Sequence, residues 1–290
     1  MPFDWGDAAT HGPALEGVRR VYLVPPTGEP DPAAYLLPFL DLARRAGVDR
    51  VVLLNSSAIA ETDGGLGEVH RALRARFPQW TVLRPSWFMQ NFSGDHPHAR
   101  GIRERGEIVT ATGDGRVAFV DAEDIAAVGA RALTHERPHN TAHLITGPQA
   151  LSYAEVAATL SRVTGRAVRH RAVPRATLRD RLAADGIPER FADLLAGMDE
   201  AIAQGAEDRT SPAVGQVTGR APRSFADFAA AHAAASRGGI HAPPRPGASR
   251  HRRGADQPPP RAPAAFSSRA ASGTPSGRAR PTMPSSSRWR

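Results

Sequence analysis

The sequence predicts an α/β protein, a parallel sheet with helices on both faces followed by a smaller, mostly helical lobe. Three observations carry this. Short apolar runs alternate with amphipathic stretches in the order strand, helix, strand, helix, strand over residues 21–83, the pattern of parallel strands joined by right-handed crossovers. The run Val51-Val52-Leu53-Leu54 is apolar throughout, as in a strand covered on both sides. From Ser152 onward the apolar residues recur at helical spacing.

Taken in order, Val21–Val24 forms the first strand and runs into the loop VPPTG. Asp31 and Pro32 supply a cap and a proline suited to a first helical turn. Leu36, Phe39, Leu40 and Ala43 then give one apolar face, Gly47 a stop, and Pro38 a bend. Leu66, Val69, Leu73 and Phe77 mark a second helix, and Thr81-Val82-Leu83 a third strand. Beyond it we expect a helix near 96–105, extended pieces at 107–110 and 117–120, a helix through 122–134 and a strand at 143–146. Ser152 caps a helix with Tyr153, Val156, Ala157, Leu160 and Val163 on one side, and Phe191, Leu194, Leu195, Met198 and Ile202 mark a later one. The chain thus divides into a sheet domain over 1–150, a helical substrate lobe over 151–236 and a tail over 237–290.

Charge separates the tail from the rest. Residues 237–290 hold 11 arginines and one acid, Asp256, a local excess of +10 against +8 for the whole chain, so the first 236 residues carry −2. The part expected to fold has no basic bias toward nucleic acid. The tail is rich in Pro, Arg, Ser, Ala and Gly, has little to bury, and is expected to be disordered. All 37 basic residues are arginine, and cysteine is absent. This excludes Schiff-base chemistry, a P-loop lysine, a Tyr-x-x-x-Lys pair, a thiolate nucleophile and a cysteine-based zinc site. The start carries no secretory pattern and no apolar run is long enough to span a membrane, so a cytoplasmic protein without membrane partners is expected.

In open parallel sheets, ligands lie beyond the carboxyl ends of the strands. The first such junction, Val24-Pro25-Pro26, offers a ledge. The second offers Asn55, Ser56 and Ser57 as polar groups. The third, Pro85-Ser86-Trp87-Phe88-Met89 with Asn91, combines large aromatics with an amide, which suits a flat ring with a polar handle; ordinary core packing would use the same aromatics. The run HERPH, His135 to His139, formally matches the zinc-protease pattern, but Pro138 breaks the helix that pattern needs. His96 and His98 flank a proline at a helix start, and no metal is expected. No Gly-x-Ser-x-Gly elbow occurs.

The runs FDWGDAATHGPALEGVRRVYLVPP, WTVLRPSWFMQNFS and GEIVTATGDGRVAFVDAEDIAAV, continued by LSYAEVAATLSRVTGRAV and PRSFADFAAAH, resemble the NmrA-like atypical short-chain dehydrogenases, in particular their ergot alkaloid reductase-like NAD(P)-binding members. The resemblance implies a Rossmann-like fold and NAD(P) as cofactor. It places Asp4 and Trp5 near adenine, Val24, Pro25 and Pro26 under the cofactor, and Ser56 beside the nicotinamide. Pro85, Ser86, Trp87 and Phe88 would wall the nicotinamide, with Met89 and Asn91 toward a small-molecule substrate. Asp121 and Asp124, in FVDAEDIA, are expected to cap and seat a helix.

The family's Gly-x-x-Gly-x-x-Gly phosphate loop has no counterpart here, so the resemblance implies that the first βαβ unit is missing and cofactor binding impaired. Apolar surface is then expected along Val21–Val24. Where the wider superfamily carries its tyrosine and lysine, this chain has His70 and Arg74 at the same spacing, fourteen residues after Ser56. His70 with Ser56 is a candidate proton donor, and Arg74 a candidate ribose or phosphate ligand; a solvent-facing His-Arg pair fits the spacing equally. The expected function is reduction of a small carbonyl, imine or quinone-like acceptor. Its alternatives are a regulatory NAD(P) sensor or a truncated product.

Overall fold

The structure is a computed structural model, and it describes residues 2–29, 31–61 and 64–238. The expected disordered tail lies outside these from residue 239 on. A short helix, α1 (His11–Ala14), precedes β1 (Arg20–Leu23), α2 (Ala33–Arg45), β2 (Arg50–Leu54), α3 (Gly65–Arg76) and β3 (Gln79–Pro85). Next come α4 (Pro97–Arg105), β4 (Glu107–Thr110), β5 (Arg116–Val117), α5 (Ala122–Thr134) and β6 (Thr141–Ile145). The remainder is β7 (Leu151–Ser152), α6 (Tyr153–Thr164), β8 (Arg169–Ala172), α7 (Arg175–Ala184), α8 (Glu189–Ala203), α9 (Ala213–Thr218) and α10 (Phe225–Gly238).

The main sheet is wholly parallel in the order β1-β2-β3-β6. Val51, Val52 and Leu53 of β2 are fully buried, and their alternation sends them to opposite faces. Val51 and Leu53 share a core with Leu36 and Leu40 of α2 and Val69 and Leu73 of α3. Val52 packs with Ile125, Val128 and Ala132 of α5 on the other side. That explains a strand with no polar face. A third core joins Phe92, Phe119, Tyr153, Val156, Phe225 and Phe228 beneath two small sheets, parallel β4-β8 and antiparallel β5-β7.

Several boundaries differ from the sequence reading. Pro32, not Asp31, is the N-cap of α2, and no side chain caps it, because Pro32 already has helical dihedrals and its carbonyl accepts from Leu36. Gly47 does end that helix, with φ +89° and Val48 N–H bonding back to Ala43. In the stretch 117–120 only Val117 belongs to a strand, while Val120 makes an isolated parallel bridge to Phe88. The strand expected at 143–146 runs from Thr141 to Ile145. β8 and α7 were not anticipated.

The surface expected along Val21–Val24 is partly covered. Leu23 is buried and Val24 is 47 % exposed, and a groove of about 350 Å³ beside β1 is walled by Phe3, Trp5, Leu15 and Phe39. No helix among the described residues is long and apolar enough to cross a membrane.

Candidate functional site

The carboxyl ends of β2 and β3 are locked together by backbone. Asn55 N–H donates to Leu83 O at 2.8 Å, Ser57 N–H to Pro85 O at 2.9 Å, and Ser86 N–H to Ile145 O of β6 at 2.9 Å. The following residues are held from the other layer, with Met89 N–H on Val120 O and Val120 N–H on Trp87 O, both 2.9 Å. Two buried polar groups at these strand ends have no partner, Asn55 Nδ2 and Ser86 Oγ. A buried amide donor left unpaired is costly, and a polar ligand at the strand ends would satisfy it. The chemistry of Asn55 and Ser86 fits the polar edge of a dinucleotide, and neither residue lines the two cavities beside them.

Two cavities meet there. One, of about 580 Å³, is lined by Ser57, Ala58, Trp87, Met198, Glu207 and Arg209 at the ends of β2 and β3. Ser57 Oγ donates to the buried Glu207 at 2.7 Å, and Arg209 donates to both Ser57 O and Glu207. The second, of about 410 Å³, shares Trp87 and Met198 with the first and adds Asn91, His98, Tyr153, Phe191 and Asp199, among others. A chamber walled in part by Trp87, Tyr153 and Phe191 thus adjoins the cavity at the strand ends, with Trp87 as part of the wall of both.

Electrostatics in the chamber follow from burial. His98 is pushed down to about 3 by burial, with His96 and His170 adding repulsion, so it stays neutral. Burial pushes the Tyr153 hydroxyl well above its ordinary value, and the charge of Asp199 adds to this. Asp199 itself is raised to about 6 by burial, opposed by one hydrogen bond from Ala111 N–H at 2.8 Å. Glu107 is held low, first by the hydrogen bond from Arg169 at 2.7 Å. Among the described residues no group of three or more histidines and acids is placed to hold a metal.

The structure brings Trp87 and Asn91 to the aromatic chamber, with Pro85, Ser86 and Phe88 in the same segment. Trp5 and Val24 line the groove beside β1, where Pro25 and Pro26 continue the chain. Asp4 is turned to local bonds, its carboxylate accepting from Gly6 N–H at 2.8 Å. Met89 is fully buried against the Phe92 and Phe119 core and lines neither cavity. His70 and Ser56 line neither as well. His70 is buried on α3 with Nδ1 unpartnered and Nε2 3.9 Å from Glu61, which also pairs with Arg74 at 3.2 Å. Ser56 Oγ accepts from Ala58 N–H.

Sequence reading missed Tyr153 as a cavity residue, and with it Glu207 and Asp199. The signal for Asp199 was present: it stands four residues after Leu195 and three before Ile202, an acid on the apolar stripe of its helix.

A parallel sheet with helices on both faces, unpaired polar groups at its strand ends and a second cavity adjoining them is the architecture of the dinucleotide-binding class. The NmrA-like family model matches residues 67–229. The uncharacterized oxidoreductase YesF of Bacillus subtilis (strain 168) is 48 % identical over 232 residues, 80 % of each chain. Agroclavine dehydrogenase of Claviceps fusiformis is 39 % identical over 234 residues, 78 % of this chain and 81 % of that one. The crystal structure of Citrobacter sp. triphenylmethane reductase complexed with NADP(H) superposes with a TM-score of 0.67 at 25 % identity, covering 80 % and 82 %. The chain belongs to the NmrA-like family of NAD(P)-binding oxidoreductases.

Proposed function

We propose that this protein uses NAD(P)H to reduce a small organic acceptor of the carbonyl, imine or quinone-like class. The observation that carries the reading is the shared wall: Trp87 and Met198 line both the polar cavity at the strand ends and the aromatic chamber. The cofactor, when bound, supplies the hydride. Asn55 and Ser86 would hold its polar edge, Trp87 would set the ring plane, and Asn91 would orient the acceptor. Walls of Tyr153, Phe191 and Trp87 exclude water and favour a flat molecule.

The test is loss of NAD(P)H absorbance with a quinone, an azo dye and an aromatic aldehyde offered in turn. Trp87→Ala is expected to lower kcat/KM by about tenfold to a hundredfold through lost orientation. Absence of oxidation with every acceptor would sink the reading. It would leave its rival, a sensor that binds the nucleotide without consuming it, which the placement of His70 away from both cavities favours.

A further inference from the structure

We propose that Asp199 is the proton donor of the aromatic chamber and that the acceptors it serves are neutral conjugated carbonyls, quinones included, rather than cationic imines. The inference rests on the reductase reading and deepens it. Asp199 lines the chamber, and its neighbour in sequence, Met198, lines both cavities. The carboxyl thus shares the chamber with the two residues of the common wall, Trp87 and Met198. One oxygen accepts from Ala111 N–H at 2.8 Å, and no ion pair to the side chain forms among the described residues.

The surroundings assign the protonation state. From α4 the chamber presents His96, His98 and Arg105, and from α7 Arg181 and Asp185. Glu107 of β4 is already engaged by Arg169 and lies 3.9 Å from Arg171. Tyr153 comes from α6, and His170 of β8 bonds Thr110 at 2.7 Å. On α8 itself Asp193 and Glu200 are turned to Arg175, each at 3.0 Å. His98 stays neutral near neutral pH, and His96 of the chamber and His170, which packs against Tyr153, are likewise lowered by burial. An acid raised to about 6 is half-protonated about one unit below neutrality, within reach of the range in which a general acid works. Tyr153 holds its proton too tightly for that task.

The chemistry balances. The hydride pair forms a new bond at one end of the acceptor's conjugated system, and the displaced π pair emerges on its oxygen. That oxygen takes the Asp199 proton, whose O–H bond breaks to leave a carboxylate. NAD(P)H, when bound, would supply the two electrons the acceptor gains, and water returns the proton to Asp199. An iminium cation becomes a neutral amine on gaining hydride and needs no acid, so a protonated carboxyl serves the carbonyl class.

Menadione is the probe, in two measurements on the full chain. Without cofactor, its quenching of tryptophan fluorescence is expected to show affinity falling roughly fivefold or more between about pH 5 and about pH 8 as the carboxyl ceases to donate. In Asp199→Asn, whose amide still donates, affinity is expected to be flat with pH. With NADPH, Asp199→Asn is expected to cut kcat about a hundredfold and to change KM less than about threefold, a larger loss of kcat than in Tyr153→Phe. A pH-independent affinity in the unaltered protein, or kcat within about twofold of it in Asp199→Asn, overturns the acid role. Loss of kcat in Tyr153→Phe alone moves that role to the tyrosine and overturns the proposal. A raised KM confined to cationic acceptors shows a counter-ion instead, and also overturns it. If the unaltered protein never oxidises NAD(P)H while menadione affinity still titrates, the reductase reading itself fails and the acid role with it.

Discussion

At the scale of single residues, buried ionisable groups in this molecule work against its stability as well as for its chemistry. Asp199 is the clearest case. Its folded pKa, about 6, lies above the ordinary aspartate value, so between the two the folded chain binds more protons than the unfolded one. Stability then falls as pH rises through that window. Asp199→Asn keeps the acceptor for Ala111 N–H and removes the titration. The variant is expected to melt as the unaltered protein does near pH 4 and to be more stable by about 1–2 kcal/mol near pH 7.5, measured by urea midpoints at both. Equal midpoints at the higher pH would show that the carboxylate is well solvated. His70 is a contrasting residue, buried beside the Trp80 ring with an unpaired nitrogen and away from both cavities. His70→Ala is expected to cost roughly 1–3 kcal/mol of stability while NAD(P)H oxidation per folded molecule stays unchanged. A loss of turnover without a loss of stability would return His70 to the mechanism.

Individual elements owe their seating to few groups, and α5 shows how. Its N-terminus is capped by Asp121, fully buried, which accepts from Glu123 N–H and Gln90 at 2.9 Å and from Arg223 at 2.7 Å. Burial pushes Asp121 up, but these hydrogen bonds outweigh it and hold the carboxyl below its ordinary value. Asp124, one turn on, accepts Arg223 N–H at 2.8 Å and is raised by burial, with Asp121 adding repulsion. At the other end Arg50, buried in β2, donates to Leu133 O, His135 O and Glu136 O, placing positive charge at the helix C-terminus. Asp121→Ala leaves Arg223 and two further donors, Glu123 N–H and Gln90, without their acceptor and is expected to cost about 3–5 kcal/mol at neutral pH. Because the carboxyl is depressed on folding, its contribution is present above the unfolded pKa and lost as pH falls through the folded one. Thermal melts of both proteins should therefore converge in acid; a constant difference down to low pH would deny the ionic cap. The capping role of FVDAEDIA was legible from sequence because caps are local. β8 was not, since Arg169-His170-Arg171-Ala172 leaves only His170 half-buried and the others exposed, so no apolar alternation marks it as a strand.

Across the whole molecule, the strand ends and the chamber are products of two layers, and only the first was readable in advance. The junctions after β1, β2 and β3 could be located because parallel strands announce themselves by continuous apolar runs and their carboxyl ends collect ligands. The chamber draws on α4, β4, α6, α7 and α8, and no local period relates Asn91 to Tyr153 or Asp199. What aligns the layers is the segment from Ser86 to Met89, bonded to Ile145 O on one side and Val120 O on the other. Gly147 sits at this seam. Its N–H bonds Ala118 O at 3.2 Å, and a Cβ there would overlap the Phe119 carbonyl oxygen, with Met89 Cε at 3.4 Å. Since the obstacle is backbone, relief requires the 118–120 stretch to move, and with it the bond that holds Trp87. Gly147→Ala is expected to lower stability by about 2–3 kcal/mol and, in the molecules that remain folded, to weaken menadione binding because the shared wall shifts. Urea midpoints and fluorescence quenching measure the two effects on one sample. A destabilised variant with unaltered menadione affinity would show that the chamber is positioned independently of the sheet, and the shared-wall argument for hydride transfer would lose its basis.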